Sequence, residues 1–137
     1  MTNIEFIKLQ AKNFYKDFKT RYLTEEGYYD YKPQFFNDIY EIIEERQLDV
    51  ENFSLMKAQH LLAQILGFKS WADLIHSSDE KLEIAKSLLE HKEDNFNGYP
   101  FIQSWLDYEE EYLKELDDYS KLLIYKHTFL NEKNIIE

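Results

Sequence analysis

Phe53-Ser54-Leu55-Met56-Lys57-Ala58-Gln59-His60-Leu61-Leu62-Ala63-Gln64-Ile65-Leu66-Gly67-Phe68-Lys69-Ser70-Trp71-Ala72-Asp73-Leu74-Ile75-His76 is the most apolar and most sharply punctuated stretch of the chain. Ser54 stands where an N-cap oxygen would satisfy a free amide of a first helical turn, and Gly67 stands where a left-handed residue would close the helix. Residues 55–66 carry almost no charge between these marks. A helix apolar on nearly every side is one enclosed by others, so this segment reads as the central rod of a helical domain. Ser70 opens a second, short helix through Ile75, which needs Trp71, Leu74 and Ile75 buried to be stable.

Composition agrees with that reading. Glycine (3) and proline (2) are scarce in a chain of 137 residues with 17% aromatics, which disfavours sheets and turns and favours helices with short connections. The expectation is a single all-α domain over 1–137, a compact bundle of about six helices. Cysteine is absent, which removes disulfides and thiolate chemistry and fits a reducing, cytoplasmic setting. No basic leader precedes an apolar run at Met1 to Glu5 and no long uncharged apolar segment follows, so neither an export signal nor a membrane span is expected. The net charge is −11. Residues 1–32 hold six Lys/Arg against five Asp/Glu, whereas 33–90 and 91–137 each hold five against eleven, so only the first segment escapes the acidity. Binding to a nucleic-acid backbone normally needs a basic face, which disfavours that class of partner.

Working outward from the rod, Ile4, Ile7, Ala11, Phe14 and Phe18 follow helical spacing and predict a first helix over about 3–23. Lys8, Lys12, Lys16 and Lys19 form a basic row beside that stripe, expected to be solvated and paired with acidic neighbours rather than to bind an anion. Gly27 and the Tyr28-Tyr29-Asp30-Tyr31-Lys32 run after it make an aromatic connection, and Pro33 suits the first turn of a second helix over about 33–47. Ser77-Ser78-Asp79-Glu80 is a capping box that starts a further helix near Ser78. Asn95-Phe96-Asn97-Gly98-Tyr99-Pro100 is the strongest turn cluster. Beyond it Phe101, Ile102, Trp105, Tyr112, Leu116, Tyr119, Leu123 and Leu130 stay near one helical phase, which favours one long helix over 101–130. Asp117-Asp118-Tyr119-Ser120 is the place where it would divide instead. The expected core is Ile7, Ala11, Phe14, Phe18, Phe36, Ile39, Ile43, Leu55, Ala58, Leu62, Ile65, Leu66, Phe68, Trp71, Leu74, Leu82, Ala85 and Leu89.

Ser54, Lys57, Ala58, Leu62, Ala63, Gly67, Phe68, Trp71 and Leu74 spell S-x-x-[KQ]-A-x-x-x-[IL]-A-x-x-x-G-[FY]-x-x-W-x-x-L. In this the chain resembles a family of small bacterial all-helical domains, largely uncharacterised, related to helical modules found beside glyoxalase-superfamily domains. The resemblance covers 53–90 and, more weakly, the first helix, and it does not extend to 93–137. It implies a helical fold and no particular activity. Gln59, Ala63 and Gly67 also match the first helix of a helix-turn-helix, but the following helix would offer bases only Asp73 and His76. Small side chains that let helices approach closely explain the same spacing.

No catalytic, cofactor-binding or metal site is expected. Glu-x-x-His pairs are missing, His60, His76, His91 and His127 fall on separate elements, and three isolated glycines make no phosphate loop. The surface singled out is the acidic end of the last helix, where Tyr108 and Tyr112 stand among Glu109, Glu111 and Glu115. Aromatic anchors within a charged rim are what protein interfaces use. The expected function is therefore a non-catalytic protein-interaction module, for a protein partner or a second copy of the chain. A helix-turn-helix regulator or antitoxin is the alternative, and an enzyme of unassigned class the second.

Overall fold

A computed structural model describes residues 1–131, and within them the helix starts follow short polar side chains. Thr2 accepts from the Glu5 amide at the head of α1 (Asn3–Phe18), Ser54 from Lys57 at α3 (Leu55–Ile65), and Ser70 from Asp73 at α4 (Trp71–Ile75). Ser78 does the same for α5 (Asp79–Glu90) through Lys81, and Asp117 for α7 (Asp118–Ile124) through Ser120. Each cap satisfies an amide that a helix leaves free at its first turn. In the 77–80 box the capping oxygen is that of Ser78, while the Ser77 hydroxyl donates to the Leu74 carbonyl at 2.7 Å. Only α2 (Ile39–Arg46) and α6 (Phe101–Tyr112) begin without a side-chain cap bond.

Among the described residues there are seven α-helices and two antiparallel hairpins of two-residue strands, so the fold is predominantly helical. α1 packs on α3 and α5, and α5 also carries α6 and α7, with α4 folded back on α3. The helix that joins the two halves is thus α5. The segment expected to be enclosed, α3, buries Ala58, Leu61, Leu62 and Ala63 but turns Met56 (77% exposed), Lys57, His60 and Gln64 to solvent. Its exposed face is mostly polar, so α3 is amphipathic rather than enclosed, and its packing partners lie on one side. At its C-terminal end the chain reverses as the sequence indicated: Gly67 takes φ +93°, and the Phe68 amide donates back to Ala63 at 2.9 Å.

Three boundaries differ from the sequence expectation. α1 stops at Phe18 rather than near residue 23, because the Thr20 hydroxyl donates to the Asp17 carbonyl at 2.7 Å and accepts from the Lys32 amide at 2.8 Å. The chain then forms a hairpin of β1 (Tyr22–Leu23) with β2 (Tyr29–Asp30). α2 starts at Ile39, not at Pro33: the amides of Gln34, Phe35 and Phe36 are held instead by the buried Asp17 carboxylate at 2.8, 3.1 and 2.7 Å. The helix expected over 101–130 is divided. α6 ends at Tyr112, residues 113–117 turn, Asp117 caps α7, and Tyr125–Phe129 continue as a π turn. The 95–100 turn cluster becomes a hairpin of β3 (Asn95–Phe96) with β4 (Tyr99–Pro100), whose Asn97-Gly98 turn has both φ angles positive.

The core departs from expectation in the same region. Ile43, Leu55, Ile65, Phe68 and Trp71 are only partly buried, while Phe101, Trp105, Leu113, Leu122, Tyr125 and Phe129 are buried and were not expected. Of the two tryptophans the one at 1% exposure is Trp105. The sequence also leads one to expect fraying from Asn131 to Glu137; Asn131 is helical, and 132–137 lie outside the described residues.

Candidate functional site

The inner face of α6 fixes the candidate surface. Trp105 is clamped edge-on between Tyr125 (4.9 Å between ring centroids) and Phe129 (5.3 Å), which sets the rotation of the helix. One turn on, the half-buried Tyr108 ring lies 6.2 Å from Trp105 and 5.8 Å from Phe129. Tyr112 follows at 5.1 Å from Tyr108 but is 65% exposed. The five residues singled out from the sequence therefore divide. Tyr108 and Glu109 are committed inward, the latter 3.7 Å from the Lys121 ammonium of α7. Tyr112, Glu111 and Glu115 face solvent.

The break after α6 adds residues that the sequence places on one helical phase with Phe101 and Trp105. Leu116, Tyr119 and Leu123 are 40%, 60% and 38% exposed, and the last two lie one turn apart on α7. Their helical phase was legible, but it belonged to two short helices. The Asp117 carboxylate stays below the ordinary range because the amide and hydroxyl of Ser120 donate to it. Asp118 accepts from the Ser78 hydroxyl at 2.8 Å, which ties the start of α7 to the start of α5. The exposed rings thus sit on a turn held from both ends. Around them Asp107, Glu110, Glu111, Glu115 and Asp117 are exposed, and among the described residues the ion pair of this group is that of Glu110 with Lys114 at 3.4 Å. An anionic field surrounds an apolar centre.

No family model, curated protein or solved structure matches this chain. What the site does must be read from its own geometry. Among the described residues no three His, Asp or Glu side chains gather as metal ligands, and no helix is long and apolar enough to cross a membrane. His91 pairs with Asp94 at 2.8 Å where α5 meets the second hairpin.

A second charged surface lies on α1. Lys8, Lys12, Lys16 and Lys19 are all exposed, and among the described residues none forms an ion pair within 4.0 Å. Among the described residues the expected acidic partners do not reach them, in part for a local reason. The only acids on α1 are Glu5, in the first turn, and Asp17, whose carboxylate is turned inward onto backbone amides.

Proposed function

We propose that this chain is a non-catalytic protein-interaction module whose α6–α7 turn receives a basic, amphipathic helical segment of another protein. The observation that carries the reading is the exposure of Tyr112, Leu116, Tyr119 and Leu123 within a field of exposed carboxylates. Complementary charge sets the occupant: a cationic segment is drawn to the rim, and its apolar face covers the rings and leucines. Tyrosine suits the central role because it contributes area at small entropic cost, while rim carboxylates act mainly on the rate of encounter. The alternative of a helix-turn-helix regulator draws less support, since α4 presents Ala72, Asp73 and His76 to solvent and an acidic chain repels phosphates. We propose further, on the Ser54-to-Leu74 signature, that the module is akin to small bacterial helical domains and works in a reducing cytoplasm, which the lack of cysteine suits.

The test uses a synthetic amphipathic helix of lysine and leucine as probe. We expect it to bind with NMR shift changes confined to residues 107–123. Tyr112→Ala with Tyr119→Ala should weaken binding about tenfold or more without altering the thermal midpoint, as loss of aromatic anchors does. Glu111→Gln with Glu115→Gln should instead slow association and flatten its salt dependence. Unchanged affinity in the double tyrosine variant would mean that charge alone attracts the probe, and the reading would fall.

A further inference from the structure

We propose that the groove around Arg21 is a binding site for an organic oxyanion, a small molecule that carries a phosphate or carboxylate on a flat ring. The groove lies between the C-terminal end of α1, the β1–β2 hairpin and the link into α3, and encloses about 340 Å³. That is within the size range of small-molecule sites. Its centre is Arg21, whose guanidinium carbon sits 3.7 Å from the centroid of the Tyr29 ring. Stacking of this kind fixes the plane of the cation before any ligand arrives.

The hydrogen bonding of Arg21 is half complete. Its Nη2 donates to Glu51 Oε1 at 2.7 Å, while Nε is buried and has no partner among the described residues. Nε and Nη2 are the two parallel donors with which arginine grips a carboxylate or phosphate side-on, so Glu51 occupies one tooth of a fork built for two. The two side chains also differ in how firmly they are held. Arg21 is 18% exposed and Glu51 70%, so the glutamate is the one free to swing into water. An incoming oxyanion takes its place and satisfies both donors.

The surroundings suit such a ligand. Lys19, which extends over Tyr15 with its ammonium 5.1 Å from the ring centroid, adds a second cation to the lining. Behind it the unpaired row of Lys16, Lys12 and Lys8 makes this the one basic strip described on an acidic protein, which concentrates anions near the groove. Tyr15, Tyr29 and Phe53 supply flat apolar walls against which a ring can lie. A ring with no anion leaves the fork half empty, and an anion with no ring leaves the walls wet.

The proposal is tested by titrating the full chain with AMP, benzoate, adenosine and inorganic phosphate, followed by amide NMR shifts. We expect AMP, benzoate or both to shift residues 15–21, 29 and 50–53; which of them binds tells a phosphate site from a carboxylate site. Adenosine should leave these amides in place, and inorganic phosphate should bind more weakly than the ring-bearing anion. Glu51→Gln, which removes the competing charge, should tighten binding about tenfold, and Arg21→Lys, which keeps the charge but loses the fork, should weaken it about tenfold. If Arg21→Lys proves unfolded, the Glu51→Gln comparison decides alone. Absence of shifts from every oxyanion up to about 10 mM in both the parent chain and Glu51→Gln would overturn the proposal. So would adenosine binding as tightly as AMP, or weaker binding in Glu51→Gln, since the Arg21–Glu51 pair would then serve only to tie the hairpin to the link.

Discussion

Two aromatic clusters hold the ends of this molecule, and they are made fast in different ways. In the first, Phe14, Phe18, Phe36 and Phe53 meet at centroid distances of 4.0 to 5.0 Å, and the Asp17 carboxylate beneath them accepts three backbone amides from residues 34–36. In the second, Phe96, Phe101, Trp105, Tyr125 and Phe129 pack at 4.5 to 6.3 Å, and the side-chain tie described there is the hydroxyl bond from Tyr125 to Ser87 at 2.7 Å. The difference follows from the backbone that each cluster covers. Residues 34–36 belong to no helix, so their amides need an acceptor from elsewhere before rings can close over them. The rings of the second cluster stand mostly on α6 and the π turn, where the amides beyond the first turn are satisfied within the helix and that of Phe101 donates to the Asp94 carbonyl at 2.9 Å. Polar ties are concentrated where the chain is irregular, not where the rings are largest.

That comparison can be broken from either side. Trp105→Ala removes the largest fully buried side chain of the second cluster and should cost about 3–5 kcal/mol in urea unfolding, whereas Trp71→Ala, at a half-buried site, should cost about 1–2 kcal/mol. Equal losses would mean that α4 depends on its tryptophan as much as α6 does. Asp17→Ala should cost about 2–4 kcal/mol, because the amides it serves lose a charged acceptor while still covered by Phe36. Hydrogen exchange at Gln34 to Phe36 should accelerate in that variant more than exchange in α6. Protection left intact there would show that the rings, not the carboxylate, order the first connection.

The smallest effect concerns Tyr125. Burial raises its phenol above the ordinary value, with Glu90 adding to the shift and the Ser87 bond opposing it. Because the folded chain holds this proton more tightly than the unfolded one, its contribution is fully present below about pH 10 and is lost as pH rises beyond it. Tyr125→Phe should cost about 1 kcal/mol at pH 7 through the missing Ser87 bond. Above about pH 10 its stability should fall less steeply than that of the parent chain. Parallel pH profiles for the two proteins would place the phenol in contact with water.

The sequence by itself determined the parts of this protein that are written over three or four residues. Ser54 and Ser70 cap the helices expected of them, the 77–80 box starts its helix one residue later with Ser78 as the cap, and scarce glycine and proline with helical apolar spacing yield a helical chain. The Gly67 reversal was equally legible, since a left-handed closure is a local property. The same glycine shows where local reading stops: a Cβ there would come within 2.7 Å of Leu106 Cδ2 on α6, a contact that no spacing announces. Tertiary structure alone decided that α1 ends at Phe18 and α2 begins at Ile39, because Asp17 meets its amides 17 to 19 positions away. It also decided which tryptophan is buried and which face of α3 is bare, since burial depends on the elements that arrive. At the candidate site Tyr112 was legible and Leu116, Tyr119 and Leu123 were not. Their phase is the same in one long helix as in two short ones, and Asp117, by capping Ser120, turns them out to solvent.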